Sequence, residues 1–174
     1  MYDAKHLVQA ASGCQTDVDL ICGKYIVDAK SMLGVFSLPT FDHVELGVAE
    51  DEAFCFFYED NFRLLRKMGA ELVPFSPIHD AHLPSDLDGL LFYGGYPELN
   101  GEALEQNQSM KTEIAQALRD GMPCMAECGG FMYLHEQMED MDGISRQTCG
   151  VISGKCYRTP RLTRFGYITL TAGH

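Results

Sequence analysis

Positive charge is scarce in this sequence: 13 Lys and Arg stand against 25 Asp and Glu, a net charge of −12 over 174 residues. Such a balance repels phosphate backbones, and no basic stripe offsets it, which argues against a nucleic-acid partner. Long apolar runs are also lacking. None approaches the ~20 residues that a membrane span requires. The opening MYDAKHLVQAASG has no basic start, continuous apolar stretch or small-residue cleavage pattern of a signal peptide. A soluble protein in the cytoplasm, without a membrane partner, is the expectation. The cysteines do not make a disulfide framework, since seven of them, at 14, 22, 55, 124, 128, 149 and 156, are odd in number and irregular in spacing. Reduced thiols are the better reading, and one of them can be chemical. A phosphate loop is missing too. The nearest stretch, GVISGKC (150–156), has one residue too few between its glycines and cysteine where Ser or Thr should hold magnesium.

What is present alternates between strand and helix. Residues 1–42 carry little periodicity and scattered glycines, and read as an N-terminal extension or linker remnant. From His43 the texture changes, and 43–174 reads as one domain. VELGVA predicts a strand. YEDNFRLLRKMG predicts a helix with Glu59 and Asp60 in its first turn, Arg66 and Lys67 in its last, Gly69 as stop, and Phe62, Leu65 and Met68 as its apolar face. Strands are expected at ELVPF (71–75), LDGLLFY (87–93), MPCMAE, TCGVIS and FGYITL, and helices over 102–120 and through GGFMYLHEQM. This order predicts an α/β fold, a three-layer sandwich with a mostly parallel central sheet, whose sites lie at the carboxyl ends of its strands.

Two such strand ends carry candidate chemistry. In MAECGGF (125–131), Cys128 stands where a strand hands over to a helix, in a pattern A-x-C-x-G close to the nucleophile elbow G-x-S-x-G. The other reading is an inert buried thiol beside a glycine turn, and the pattern alone leaves both open. YGGYPE (93–98) closes the neighbouring strand. Its glycines let backbone approach a ligand, and the Gly95 and Gly129 amides can converge on a developing oxyanion there, although a simple turn is the plain alternative. A histidine partner for the thiol is not evident. His135, seven residues beyond Cys128, is ~10 Å along one helix. His79 and His82 suggest a metal pair, but further ligands are lacking in the pattern and no metal is expected. His174 ends the sequence.

Taken together, AFCFFYEDN (53–61), ELVPFSPIHD (71–80), LPSDLDGLLFYGGYPEL (83–99), PCMAECGGFMYL (123–134), CGVISG (149–154) and RLTRFGY (161–167) resemble one family. It comprises the C-terminal glutaminase domains of the cobyrinic acid a,c-diamide synthase type, class I glutamine amidotransferases of the cobyric acid synthase group that act in cobalamin biosynthesis. The resemblance runs over about residues 44–170 and implies a flavodoxin-like sheet. It implies Cys128 as the nucleophile that takes glutamine through a thioester, Gly95 and Gly129 as the oxyanion hole, and Gly94, Tyr96 and Glu127 around the substrate. It further implies ammonia transfer to an ATP-dependent synthetase domain, normally preceding this one, which amidates a corrin precursor and alone uses ATP and Mg. Relatives that amidate cobyric acid or nickel sirohydrochlorin share the glutaminase chemistry, and a truncated, noncatalytic docking domain is a further alternative. The family's histidine lies in a GHEFHYS-like segment beyond the strand resembling FGYITL. Here the chain stops at TAGH, so a truncated domain with very weak glutamine hydrolysis is expected.

Overall fold

The computed structural model describes residues 2–22, 25–38 and 43–161. Two compact units result, residues 1–42 and residues 43–174. The first, read above as aperiodic, contains regular elements: helix α1 (Tyr2–Ser12), strands β1 (Asp19–Cys22) and β2 (Tyr25–Asp28) paired as an antiparallel hairpin, and helix α2 (Met32–Ser37). Ser31 starts α2 because its hydroxyl accepts the Gly34 N–H at 3.1 Å, satisfying one of the free donors of the first turn.

The second unit is built on four parallel strands, β3 (Val44–Ala49), β4 (Ala70–Phe75), β5 (Gly89–Phe92) and β6 (Cys124–Ala126), in the spatial order β4-β3-β5-β6. Successive strand residues point to opposite faces. On β5, Leu90 and Phe92 enter one apolar cluster with Leu104, Met110, Ile114 and Tyr133, while Leu91 enters another with Val48, Phe62 and Tyr93. The first cluster is roofed by α4 (Gly101–Gln106), α5 (Gln108–Arg119) and α6 (Cys128–Tyr133); the second by α3 (Glu59–Lys67). Helix, sheet and helix thus form the three expected layers. A smaller sheet follows, with β7 (His135–Glu139) between antiparallel β8 (Ser145–Gln147) and parallel β9 (Ile152–Cys156).

Several local expectations are corrected. The helix expected over 102–120 is two helices, divided at Asn107. The helix expected through GGFMYLHEQM ends at Tyr133, and His135 begins a strand. TCGVIS is mostly loop, because the amides of residues 148–151 bond back to Glu136, Tyr133, His135 and Leu134 before the chain enters β9. Met68, placed on the apolar face of α3, is 75% exposed, since the helix has already ended at Lys67. FGYITL and His174 lie outside the described residues.

Candidate active site

Because β5 and β6 are parallel and paired at Phe92 and Ala126, their carboxyl ends open at one edge of the sheet. Tyr93, Gly94 and Gly95 leave the first end, and Glu127 and Cys128 leave the second. The crossing is tied down by backbone: the Glu127 N–H donates to Phe92 O at 3.0 Å, and the Gly130 N–H is shared between Tyr93 O at 3.0 Å and Glu127 O at 2.9 Å. Cys128 pivots there with φ 50°, a left-handed conformation that a residue with a side chain adopts at a cost. Such strain, held by surrounding hydrogen bonds, is the mark of a nucleophile elbow, and it leaves the Cys128 side chain exposed. The buried-thiol alternative describes Cys149 instead, which is buried and whose thiol burial pushes up to about 12.

The glycines of the turn are spatial necessities. A Cβ on Gly130 would lie 2.5 Å from Phe92 Cβ, and one on Gly129 would lie 2.7 Å from Pro97 Cδ and 3.2 Å from Gly95 N. A Cβ on Gly94 would come within 3.5 Å of Cys128 Cβ. Gly94, Gly95, Cys128 and Gly129 are therefore brought together. Among the described residues, no backbone carbonyl accepts the Gly95 or Gly129 amide. Gly94 O, by contrast, is taken by the Phe56 N–H at 2.9 Å.

This arrangement sets an exposed thiol beside uncommitted backbone donors, and sequence comparison says which family the chain falls in. A model of the CobB/CobQ-like glutamine amidotransferase domain matches residues 45–173. The chain belongs to that family. It is 43% identical over 125 residues to a cobyrinate a,c-diamide synthase of Caldanaerobacter subterraneus, covering 72% of this chain and 28% of that protein. With the enzyme of the same name from Priestia megaterium it shares 40% identity over 137 residues, covering 79% and 30% of the two chains. With that of Limosilactobacillus reuteri it shares 39% over 165 residues, covering 94% and 36%. The chain thus spans about a third or less of the length of these relatives.

The other expected residues of this glutamine amidotransferase domain are placed less centrally. Tyr96 sits beside the elbow loop with its ring edge-on to Phe56, centroids 4.9 Å apart, and both rings are about half exposed. Glu127 is exposed and its side chain caps nothing. Its charge is felt by Tyr93, whose hydroxyl is pushed up first by burial and then by Glu127, against a hydrogen bond with the Asn61 side chain. Phe56, Asn61 and Tyr93 were not singled out from the sequence, because their roles pass through backbone or buried contacts that no local pattern announces. His135 is engaged by Phe131 O at 2.9 Å. His79 pairs with Glu52 at 2.9 Å and His82 with Glu113, so the two histidines of HDAH face different carboxylates. Among the described residues no three His, Cys, Asp or Glu side chains gather as a metal site, and no helix is long and apolar enough to cross a membrane. GVISGKC bends into strand β9 rather than opening a helix, as a phosphate loop would.

Proposed function

We propose that this chain is the glutaminase domain of a cobyrinate a,c-diamide synthase. The Cys128 sulfur attacks the side-chain carbonyl carbon of glutamine, and the carbonyl electrons move onto oxygen, where the Gly95 and Gly129 amides receive the charge. Collapse of this intermediate breaks the C–N bond, the nitrogen taking the proton given up by the Cys128 thiol and leaving as ammonia, and water hydrolyses the remaining γ-glutamyl thioester to glutamate with the thiol restored. Gly94 gives the substrate close access to the sulfur, and Tyr96 and Glu127 line the approach, Glu127 offering a carboxylate to the glutamine ammonium. The ammonia passes to an ATP-dependent synthetase domain that uses ATP and Mg to amidate corrin carboxylates, in keeping with relatives about two and a half times as long as this chain. The a,c-diamide acceptor is preferred over cobyric acid or nickel sirohydrochlorin because the relatives above share the one name. The observation that carries the reading is the strained, exposed Cys128 beside two uncommitted amides.

A glutamine-like electrophile such as a chloroketone analogue tests it, with peptide mapping to separate Cys128 from the exposed Cys14, Cys55 and Cys124. One adduct on Cys128, prevented by excess glutamine and absent in Cys128→Ser, is expected. Labelling that glutamine does not slow would remove the glutamine site and leave a docking domain.

A further inference from the structure

We propose that Asp51 is a positioning residue for the oxyanion hole, acting through the 51–56 loop on the Gly94–Gly95 peptide; the proposal rests on the glutaminase reading above. One carboxylate ties two loops together. Asp51 Oδ1 accepts the N–H of Ala53 at 2.8 Å and of Phe54 at 3.2 Å, closing its own loop. Oδ2 accepts the Ser76 hydroxyl at 2.8 Å and the Ile78 N–H at 3.0 Å, anchoring that loop to the segment after β4. Four donors on an ionised carboxylate use all of its ordinary acceptor sites. Ala53 and Phe54 are completely buried, so this loop has little room to shift.

The loop bears directly on the site. A Cβ on Gly95 would lie 2.0 Å from Ala53 O, so the two backbones are in contact. Three residues beyond Ala53, the Phe56 N–H holds Gly94 O at 2.9 Å, in an isolated antiparallel bridge. Gly94 O and the Gly95 N–H belong to one trans peptide plane and point in opposite directions. Capture of the oxygen by Phe56 therefore turns the Gly95 N–H away from the loop. Gly129 packs against the Gly95 backbone, where an added Cβ would lie 3.0 Å from Gly95 O and 3.2 Å from Gly95 N. Rotating the peptide would break the Phe56 bond, and the glycines on both sides have no side chain to resist rotation. The 51–56 loop supplies the resistance instead. Asp51 acts by geometry, because a negative charge near the hole would oppose an oxyanion.

The test separates a reaction that needs the hole from one that does not. Acylation of Cys128 by glutamate γ-methyl ester forms the S–C bond, puts charge on the carbonyl oxygen, and then breaks the C–OCH3 bond, the methoxide leaving with a proton. Alkylation by iodoacetamide forms an S–C bond as iodide leaves, and no oxyanion appears. Both adducts are followed on the full chain by mass spectrometry with peptide mapping. Asp51→Asn keeps a similar shape but replaces one acceptor oxygen by a donor, and Ser76→Ala removes a single bond to the carboxylate. Asp51→Asn is expected to slow acylation about tenfold or more, as loss of a preorganised donor does, with alkylation changed less than about twofold and Ser76→Ala intermediate. Met138→Ala, a cavity in the small sheet outside the apolar cluster that holds Ala53 and Phe54, controls for general loosening and should leave the ratio of the two rates unchanged. Equal acylation in wild type and both loop variants would overturn the proposal alone, as would an equal loss in Met138→Ala. A wild type that alkylates but never acylates would overturn the glutaminase reading and this proposal with it.

Discussion

At the scale of the residue, Cys128 holds the strain of the turn, with φ 50°. A left-handed conformation costs a residue with a Cβ roughly 1–2 kcal/mol, which glycine avoids, whereas glycine gives up roughly 0.5–1 kcal/mol through its freer unfolded chain. Cys128→Gly is therefore expected to be as stable as Cys128→Ala or more stable by up to about 1 kcal/mol. Urea denaturation of the two variants checks this. A glycine variant less stable by about 1 kcal/mol, the usual helix-start result, would mean that the elbow is not strained. The tight turn at Cys128 was legible in the sequence because small residues on both sides of a cysteine at a strand end have a steric reason, which the 2.5 Å approach of a Gly130 Cβ to Phe92 now makes explicit. Asp51 was not. Its bonds to residues two and three ahead follow a familiar local pattern, but its second oxygen reaches Ser76 and Ile78, and only the fold brings those near.

At the scale of the element, Asn107 shows how a single side chain divides what periodicity reads as one helix. It caps α5 by accepting the Met110 N–H at 3.4 Å, a long and weak bond. Its amide does more, donating to Pro77 O at 2.9 Å and Asp80 O at 2.8 Å, and so pins the start of α5 to the loop after β4. Asn107→Ala is expected to cost about 2 kcal/mol, the sum of a weakened cap and two carbonyls left without a donor. Ser109→Ala, on the exposed side of the same turn, should cost less than about 0.5 kcal/mol. Comparable unfolding midpoints for the two would show that the cap-to-loop bonds are not stabilising. The long elements with clear stops were readable: α3 carries acids at its start and bases at its end, and Gly69 and Gly121 take φ 99° and 97° where helices were expected to stop. β7 was misread because FMYLHEQM has apolar residues at helical spacing. The missed signal was Asp142-Gly143, a hairpin turn with Gly143 at φ 78° that joins β7 to β8 and buries Met138.

At the scale of the whole molecule, titratable groups set limits to stability on both sides of neutrality. On the acid side, the Gln147 N–H and then Arg146 hold Glu105 below its ordinary value of 4.5, and His82 and then the Leu83 N–H hold Glu113 below the same value. Arg146 likewise holds Asp140 below 3.8. A carboxylate held low in the folded state stabilises it above the unfolded value, and that contribution is lost as pH falls through the folded value. Stability should thus decline below about pH 4.5, even though protonation also relieves the self-repulsion of a chain at −12. Close hydrogen-bonded partners prevail over that repulsion, which salt screens beyond ~8 Å at physiological ionic strength. On the alkaline side the signs reverse. Burial raises Cys149 from 9.0 to about 12 and Tyr133 well above 10.0, so both stay neutral in the fold while the unfolded chain ionises near 9 to 10. Stability present below those values should be lost above them, at about 1 kcal/mol per pH unit for each group. Denaturant titrations from pH 3 to 10.5 are expected to show a plateau between about pH 5 and 8.5, with a decline at each end. Cys149→Ala should lower the plateau, since it removes a buried side chain, yet make the alkaline decline shallower. An alkaline limb as steep in Cys149→Ala as in the wild type would show that this thiol is not held neutral by burial. The contrast between the exposed Cys128 and the buried Cys149 would then be one of accessibility alone and not of ionisation.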